Sequence, residues 1–241
     1  MEFMKNPLYG KKIVFDGDSI CHGNLECGRI PWANLIGEAN AMEWYNYGIG
    51  GGTITAEVYV EATGKRRHWV SRTIDKIHEL HPELDYLIFE GGTNDADLFV
   101  NTPERFGSFE PTDYSGNYYD DTTFSGALET LFFKATAYYP NTRIGYIVAP
   151  KMVGINGSYV PADRRRKYFI RAIEICKKWG IPYIDLWERS PLNPALKCFY
   201  DPSISYDENI ASGRAYIDGQ HLTAIGYQLV TPAIESWIAS L

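Results

Sequence analysis

The sequence has only four cysteines, and their spacing excludes the common metal-binding and redox motifs. They form no Cys-x-x-Cys pair and no zinc-type spacing, which predicts reduced thiols in a reducing compartment: Cys21, Cys27, Cys176 and Cys198. A disulfide between Cys21 and Cys27 is left open as an alternative. A chain of 241 residues buries enough apolar surface to fold without such a cross-link.

Long apolar runs and an excess of basic residues are also missing. No apolar run approaches the roughly 18 residues that span a bilayer, and Met1 to Tyr9 lack the apolar core of a signal peptide. We therefore expect a cytoplasmic protein with no membrane partner, secretion with a removed leader being the alternative. The net charge of -7 gives no basic surface for phosphate contacts, which excludes a general nucleic-acid binder.

Segments with strand and helix patterns alternate along the whole chain. Apolar runs of strand length occupy residues 12–15, 43–47, 84–90, 143–148 and 182–187. Helical spacing occupies residues 31–41, 67–80, 124–138, 162–179 and 223–241, and Pro232 predicts a kink or break near Val230. The alternation predicts a five-stranded parallel sheet covered by helices on both faces, which is an α/β fold of three layers, α/β/α. Because no linker or composition shift divides the chain, we expect one domain over residues 1–241.

Polar and glycine-rich segments follow the first three predicted strands. Ser19 follows the first strand, residues 48–52 follow the second, and residues 92–95 follow the third. Asp218 and His221 lie just before the last predicted helix. Ligands of such sheets bind at the carboxyl ends of the strands, so these segments are expected to face one cleft.

The residue types in these segments are those that acyl transfer needs. Histidine, with an ordinary pKa of about 6.5, is suited to remove the proton of a serine hydroxyl near neutral pH. A carboxylate at the far ring nitrogen orients the imidazole, and Asp218 precedes His221 by one local turn. Glycine backbone N–H groups and the Asn94 amide are suitable donors to an oxyanion.

Four blocks of the sequence resemble those of the SGNH hydrolases, a branch of the GDSL esterase and lipase superfamily. In family order they are Gly17-Asp18-Ser19, Asn46-Tyr47-Gly48-Ile49-Gly50-Gly51, Gly92-Thr93-Asn94-Asp95 and Asp218-Gly219-Gln220-His221. The resemblance covers residues 13–227 and implies a flavodoxin-like fold. It also implies that Ser19 is the nucleophile, His221 the base and Asp218 its orienting acid.

The same resemblance implies an oxyanion hole made by the N–H groups of Ser19 and Gly51 and the side chain of Asn94. We assign Gly51 because it lies five positions after Asn46, with Gly50 and Gly52 as the alternatives. Taken alone, Ser19 would more often be a helix N-cap.

Other residues are candidates for the walls of the cleft. His22 lies close enough to Ser19 to be a rival base or a cleft residue. Residues 93–123 form a long connection whose Tyr114, Tyr118 and Tyr119 suit substrate binding, the alternative being an aromatic cluster packed beneath the loop. Residues 189–217 form a second irregular segment that is suited to the other wall. The basic run 164–167 is expected to be a solvated helix face.

These observations predict a serine esterase that uses no metal and no cofactor. We expect a small-molecule substrate, an ester of a short acyl group such as acetyl on a carbohydrate or another small polar carrier. The alternatives on the same fold are a lysophospholipase, a thioesterase and an acyltransferase. A magnesium-dependent aspartyl phosphatase of the haloacid-dehalogenase type, using Asp16 and Asp18, and a non-catalytic sugar-binding protein are less favoured. The sequence does not indicate an oligomeric state.

Overall fold

The computed structural model describes residues 6–60, 65–66, 69–99, 102–154 and 162–241. Its main sheet consists of five strands, β1 (Lys12–Asp16), β2 (Glu43–Asn46), β5 (Tyr86–Glu90), β6 (Arg143–Val148) and β7 (Tyr183–Asp185). They are all parallel, in the order β2-β1-β5-β6-β7. A short antiparallel pair, β3 (Tyr59–Val60) and β4 (Lys65–Arg66), is separate. The predicted five-stranded parallel sheet is confirmed.

The helices cover this sheet in two layers. They are α1 (Ser19–His22), α2 (Trp32–Ala39), α3 (Val70–Leu80), α4 (Thr93–Leu98), α5 (Phe124–Tyr138), α6 (Ala162–Trp179), α7 (Leu186–Arg189), α8 (Tyr206–Ala211) and α9 (Ala224–Ala239). The connection from β1 to β2 runs in one direction along the sheet and the later ones run in the other. Right-handed crossovers therefore put α2 on one face and α3, α5 and α6 on the opposite face. Accordingly, α2 packs against α9, and α5 packs against both α3 and α6.

The central strand β5 is buried at every position, as expected for a parallel strand with helices on both sides. The predicted helix boundaries agree closely with those observed, although residues 67 and 68 of the second predicted helix lie outside the described residues. No helix within the described ranges combines the length and apolar character that a bilayer crossing requires.

Of the kink or break predicted near Val230, the break is wrong, because α9 continues through Pro232 as one helix. A proline removes the N–H that would bond to the carbonyl four residues earlier, here that of Gln228. Both Pro232 and Gln228 are exposed, so water can take the place of the missing donor.

The cysteines are free thiols, with Cys21 buried and Cys27 exposed, so the alternative disulfide is not formed. The solvated-face prediction for residues 164–167 is wrong for Arg165, whose exposed fraction is 0%. Its guanidinium group is enclosed by α4, by the segment that follows β6 and by the turn that precedes α9.

Candidate active site

Ser19 is the first residue of α1, directly after the turn that ends β1. The Asp18 side chain accepts a hydrogen bond from the Ile20 N–H at 2.8 Å and is therefore the N-cap of this helix. The alternative role of Ser19 as N-cap is thus wrong. As a first-turn residue, Ser19 has a backbone N–H without an intrahelical acceptor.

The segment from Asp218 to His221 is a tight turn just before α9. The Ile217 N–H donates to the His221 carbonyl at 3.0 Å, and the turn passes through Gly219, whose φ is +88°. A side chain at Gly219 would be strained by this φ and would also collide with Val153. Thr223 then caps α9 by accepting from the Gly226 N–H at 3.1 Å.

Ser19, His221 and Asp218 form one chain of hydrogen bonds. The Ser19 Oγ lies 2.9 Å from the His221 Nε2, and the His221 Nδ1 lies 2.7 Å from the Asp218 Oδ2. The other carboxylate oxygen of Asp218 accepts from the backbone N–H groups of Gln220 at 2.9 Å and His221 at 2.8 Å. The structure therefore brings together Ser19 and His221, which are 202 positions apart in the sequence.

The environment of Asp218 fixes the protonation of this chain. Burial acts to raise the pKa of Asp218, but the His221 ring and the backbone N–H donors outweigh it and hold the pKa below its ordinary value. At neutral pH the carboxylate is therefore ionised and only accepts hydrogen bonds. The His221 Nδ1 consequently donates to this carboxylate, and the tautomer that this bond selects presents its Nε2 as an acceptor to the Ser19 hydroxyl.

Side chains of the Gly-x-Asn-Asp block bond to backbone groups at the end of the glycine turn and just after it. The Asn94 Nδ2 donates to the Gly52 carbonyl at 2.7 Å. The Asp95 carboxylate accepts from the N–H groups of Ile54 and Thr55, each at 3.0 Å. These bonds fix the orientation of the Asn94 amide relative to the glycine turn.

The hydrogen bonds of the glycine turn bear on which of its three consecutive glycines has an N–H available to an oxyanion. The Gly52 N–H donates to the Ile49 carbonyl at 2.9 Å, so it is already used within the turn and is not available to an oxyanion. Gly51 has a φ of +76°, a backbone conformation that favours glycine. Gly50 lies in the wall of the cleft that contains Ser19.

Ser19 and His221 open into a cleft of about 510 Å³. One wall is formed by α8, with Tyr206 and Asp207, and by Ile217 after it, all within the predicted second wall at residues 189–217. Tyr200 of the same segment is buried behind the cleft, against Gly219. A second cavity of about 650 Å³ adjoins this cleft, because His22 and Asn24 line both.

His22 lies in the cleft but does not pair with Ser19. Its Nδ1 donates to the Gly23 carbonyl at 2.9 Å, and its side chain is exposed. The hydrogen-bond partner of the Ser19 hydroxyl is His221, so the geometry favours His221 over His22 as the base.

The three tyrosines of the long connection are not in the cleft, which corrects their prediction as substrate-binding residues. The Tyr114 hydroxyl donates to the Lys178 carbonyl at 2.9 Å, and the Tyr119 ring lies 6.1 Å from that of Trp179, at the end of α6 that leads into β7. This is the amino end of the parallel strands, whereas Ser19 follows the carboxyl end of β1. Tyr118 lies against the start of α5, where its carbonyl approaches Gly126.

The alternative that aromatic residues pack beneath the loop describes this segment correctly. The Phe106 ring stacks on Phe124 at 6.3 Å and meets Tyr168 edge-on at 4.9 Å. An aromatic ring that packs against α5 and α6 buries roughly 150–250 Å² of surface. This burial stabilises the folded protein more than exposing the ring at an open cleft would.

The aspartates of the phosphatase alternative lie in the core. Asp16 and Asp18 both have an exposed fraction of 0%, and burial raises the pKa of Asp18. An aspartate that attacks phosphorus must be ionised and must reach the substrate, so this arrangement does not fit that chemistry. In the ranges that the structure describes, no three His, Cys, Asp or Glu side chains are grouped to hold a metal ion.

Several solved structures are similar to this chain over nearly its whole length. Among solved structures, the chain is similar to a lipase/acylhydrolase from Enterococcus faecalis, with 19% identity, a TM-score of 0.60 and coverage of 95% of this chain and 96% of the other. It is also similar to an aryl esterase from M. smegmatis, with 15% identity, a TM-score of 0.63 and coverage of 96% and 99%. A third is a carbohydrate acetylesterase from Sinorhizobium meliloti, with 14% identity, a TM-score of 0.61 and coverage of 95% and 99%.

At these identities the three structures show a shared fold. No curated protein sequence matches the chain. The model of one protein family matches residues 15–229, which include Ser19, Asn94, Asp218 and His221. The chain therefore belongs to the GDSL-like lipase/acylhydrolase family.

Proposed function

We propose that this protein is a serine esterase that hydrolyses a short-chain ester, such as an acetyl ester, of a carbohydrate or another small polar carrier. The observation that carries this proposal is the hydrogen-bonded chain from Ser19 through His221 to Asp218, which opens into a cleft.

In the proposed reaction the Ser19 Oγ attacks the ester carbonyl carbon while its proton passes to the His221 Nε2. The tetrahedral intermediate then collapses, and the imidazolium gives the proton to the leaving alkoxide, which departs as an alcohol. Water activated by the same imidazole hydrolyses the acyl-serine and releases the acid. Throughout, the ionised Asp218 holds the ring and stabilises its positive charge.

The negative oxygen of the tetrahedral intermediate is proposed to accept hydrogen bonds from the N–H groups of Ser19 and Gly51 and from the Asn94 Nδ2. Asn94 supports this role because one of its two amide hydrogens already bonds to the Gly52 carbonyl. Because the amide group is planar, that bond also fixes the direction in which the second amide hydrogen points.

Asn94→Ala is expected to lower kcat for p-nitrophenyl acetate about 100-fold to 1000-fold, as is typical when one oxyanion donor is lost. KM is expected to change little, because the donor acts mainly on the charge that develops in the transition state. Steady-state kinetics measure both constants. Asn117→Ala, at an exposed amide in the loop before α5, is a matched control that should leave them unchanged. Equal effects of the two changes would remove Asn94 from the oxyanion hole.

The lining of the cleft supports a short acyl group. Its lining is mostly apolar and includes Ile210 and Ile217, but the charged side chains of Arg29 and Asp207 interrupt this surface. A long acyl chain needs a continuous apolar groove, since each of its methylenes gains about 0.8 kcal/mol only when it is buried.

The adjoining cavity supports a polar, hydroxyl-rich carrier. Its lining includes the amides of Asn24 and Asn34, the carboxylate of Glu26 and the aromatic Trp44. Asn34 is 6% exposed, and its side chain makes no hydrogen bond to any described residue. Sugars offer hydroxyls to amides and carboxylates and an apolar face to aromatic rings. The similar structure from Sinorhizobium meliloti is a carbohydrate acetylesterase, which agrees with this choice.

A series of p-nitrophenyl esters and an acetylated monosaccharide test the substrate class. We expect kcat/KM to be about tenfold to a hundredfold lower for octanoate than for acetate, because misfitted methylenes cost about 1–3 kcal/mol. Asn34→Ala is expected to raise KM for the acetylated sugar and to leave KM for p-nitrophenyl acetate unchanged. A preference for long acyl chains would favour the lysophospholipase and thioesterase alternatives instead.

A further inference from the structure

Arg165 on α6 is the fully buried member of a run of basic residues, and its guanidinium group contacts three separate segments. Its Nε and Nη2 donate to the two carboxylate oxygens of Asp97 at 3.0 and 2.6 Å. Its Nη1 donates to the Val153 carbonyl at 2.7 Å, and its Nη2 also donates to the Gln220 Oε1 at 2.7 Å. Asp97 is on α4, Val153 is in the connection from β6 to α6, and Gln220 is in the turn before α9.

Two of these segments carry residues of the proposed active site. Asp97 is three residues after Asn94 in the same short helix, and Gln220 is directly between Gly219 and His221. The third segment contacts the same turn a second time, because the Val153 N–H donates to the Gly219 carbonyl at 2.9 Å. The guanidinium group therefore bridges the helix that presents Asn94 and the turn that presents His221.

Stability alone does not account well for such a group. Removing an ion pair from water costs several kcal/mol per ion, and replacing a buried pair with well-packed apolar residues is often neutral or stabilising. Asp97 also accepts from Arg164, at 3.4 Å, so its carboxylate has a second cationic partner nearer to the surface. What Arg165 adds is a set of directed bonds in one plane, which fix several atoms relative to one another.

We propose that Arg165 is a positioning residue of the esterase site, which holds α4 and the turn from Asp218 to His221 in register through Asp97 and Gln220. This inference rests on the proposed function of that site. Without this bridge, the Asn94 amide and the His221 ring would each remain on their own segments, but their separation would vary. Effective catalysis requires both to act on one tetrahedral intermediate, and a misplacement of about 1 Å can cost 100-fold in rate.

Lysine cannot reproduce this bridge. Its ammonium group is a single point of charge on a flexible stem, whereas the planar guanidinium directs separate N–H groups to Asp97, Val153 and Gln220. The conservative substitution therefore keeps the charge and removes the geometry, which is the property under test.

The test compares Arg165→Lys with Arg166→Lys. Arg166 is the next residue of the same helix and pairs with Asp185 and Glu188, which are outside the proposed site. For Arg165→Lys we expect kcat for p-nitrophenyl acetate to fall about 10-fold to 100-fold with little change in KM, since positioning affects the transition state more than binding. For Arg166→Lys we expect both constants to stay at their wild-type values.

Gln220→Leu gives a second, independent measurement, because it removes only the link from Arg165 to the turn. It should lower kcat in the same way, and its effect should not add to that of Arg165→Lys, since both changes break the same bridge. The hydrogen-bonded His221 Nδ1 proton provides a spectroscopic signal, which should broaden in proton NMR spectra of both variants and not in Arg166→Lys. Thermal unfolding of each variant reports its stability separately.

The result that supports the proposal is a lower kcat per folded molecule in Arg165→Lys and Gln220→Leu, with non-additive effects and an altered His221 signal. Wild-type kcat in both, or a loss that follows only the folded fraction, would overturn it. If Arg165→Lys does not fold, Gln220→Leu alone decides between these outcomes. Failure of the proposed function is distinguishable, because it would appear as wild-type protein that neither hydrolyses esters nor reacts with a fluorophosphonate.

Discussion

Ser19→Ala is expected to lower kcat for p-nitrophenyl acetate by about a million-fold, which is the loss typical when the nucleophile of a serine hydrolase is removed. The alanine methyl group cannot form the acyl intermediate, and water must then attack the ester directly. The same change should abolish labelling by a fluorophosphonate, which reacts with an activated serine. Intact mass spectrometry should show one adduct on the wild-type protein, mapped to Ser19 by peptide analysis, and none on the variant.

The fold should tolerate this change, so lost activity will report chemistry. The Ser19 Oγ bonds to His221, while the cap of α1 is supplied by Asp18. An adduct that persists in Ser19→Ala would contradict the assignment of the nucleophile. Activity that requires magnesium and disappears with a chelator would favour the aspartyl phosphatase. His22→Ala serves as a control for the base, and it should cost far less activity than His221→Ala.

The sheet and the major helices could be predicted from the sequence because their signals are local. The buried strands are short apolar runs bounded by turn residues, and the helices carry apolar residues at helical spacing. The observed strand order, β2-β1-β5-β6-β7, is the order of flavodoxin-like folds. Pro232 was misjudged because the cost of a proline in a helix depends on whether the freed carbonyl faces water, which is set by tertiary structure.

The core of the candidate site was predictable for a related reason. Asp218 and His221 are separated by one turn, so their contact is local, and Ser19 follows a strand whose carboxyl end is fixed by the sheet. The choice of oxyanion donor among Gly50, Gly51 and Gly52 could not be made from the sequence, and the observed turn narrows it only by showing that the Gly52 N–H is bonded to the Ile49 carbonyl.

The tyrosines and Arg165 were misjudged because their environments depend on distant partners. Tyr114 and Tyr119 pack on the ring of Trp179. The Tyr114 hydroxyl also donates to the carbonyl of Lys178, which is 64 positions away in the sequence. Arg165 bonds to Asp97 and Gln220 across 68 and 55 positions. A run of basic residues is usually solvated, and nothing within the run itself indicates which member is buried.

Asp218→Asn is expected to lower kcat by about 10,000-fold while KM stays close to its wild-type value. The amide oxygen can still accept from the backbone N–H groups of Gln220 and His221, so the turn should persist. The amide NH₂, in contrast, cannot accept a hydrogen bond from the His221 Nδ1–H. The ring then loses both its tautomer control and the charge that stabilises the imidazolium, and steady-state kinetics should show this as a loss confined to kcat.

Stability as a function of pH gives an independent check of the same carboxylate. Because the pKa of folded Asp218 is lowered, its ionised form stabilises the folded protein above the ordinary carboxyl pKa, and this contribution is lost as the pH falls through the folded pKa. The wild-type protein should therefore unfold at a higher temperature than Asp218→Asn at pH 7, and the difference should shrink as the solution is acidified below about pH 4. Asp75→Asn, at an exposed carboxylate of α3, provides the matched control, with a smaller difference expected at pH 7. A difference for Asp218→Asn that is constant with pH would mean that its ionised carboxylate is not what stabilises the turn, and the assignment of the His221 tautomer would fail with it.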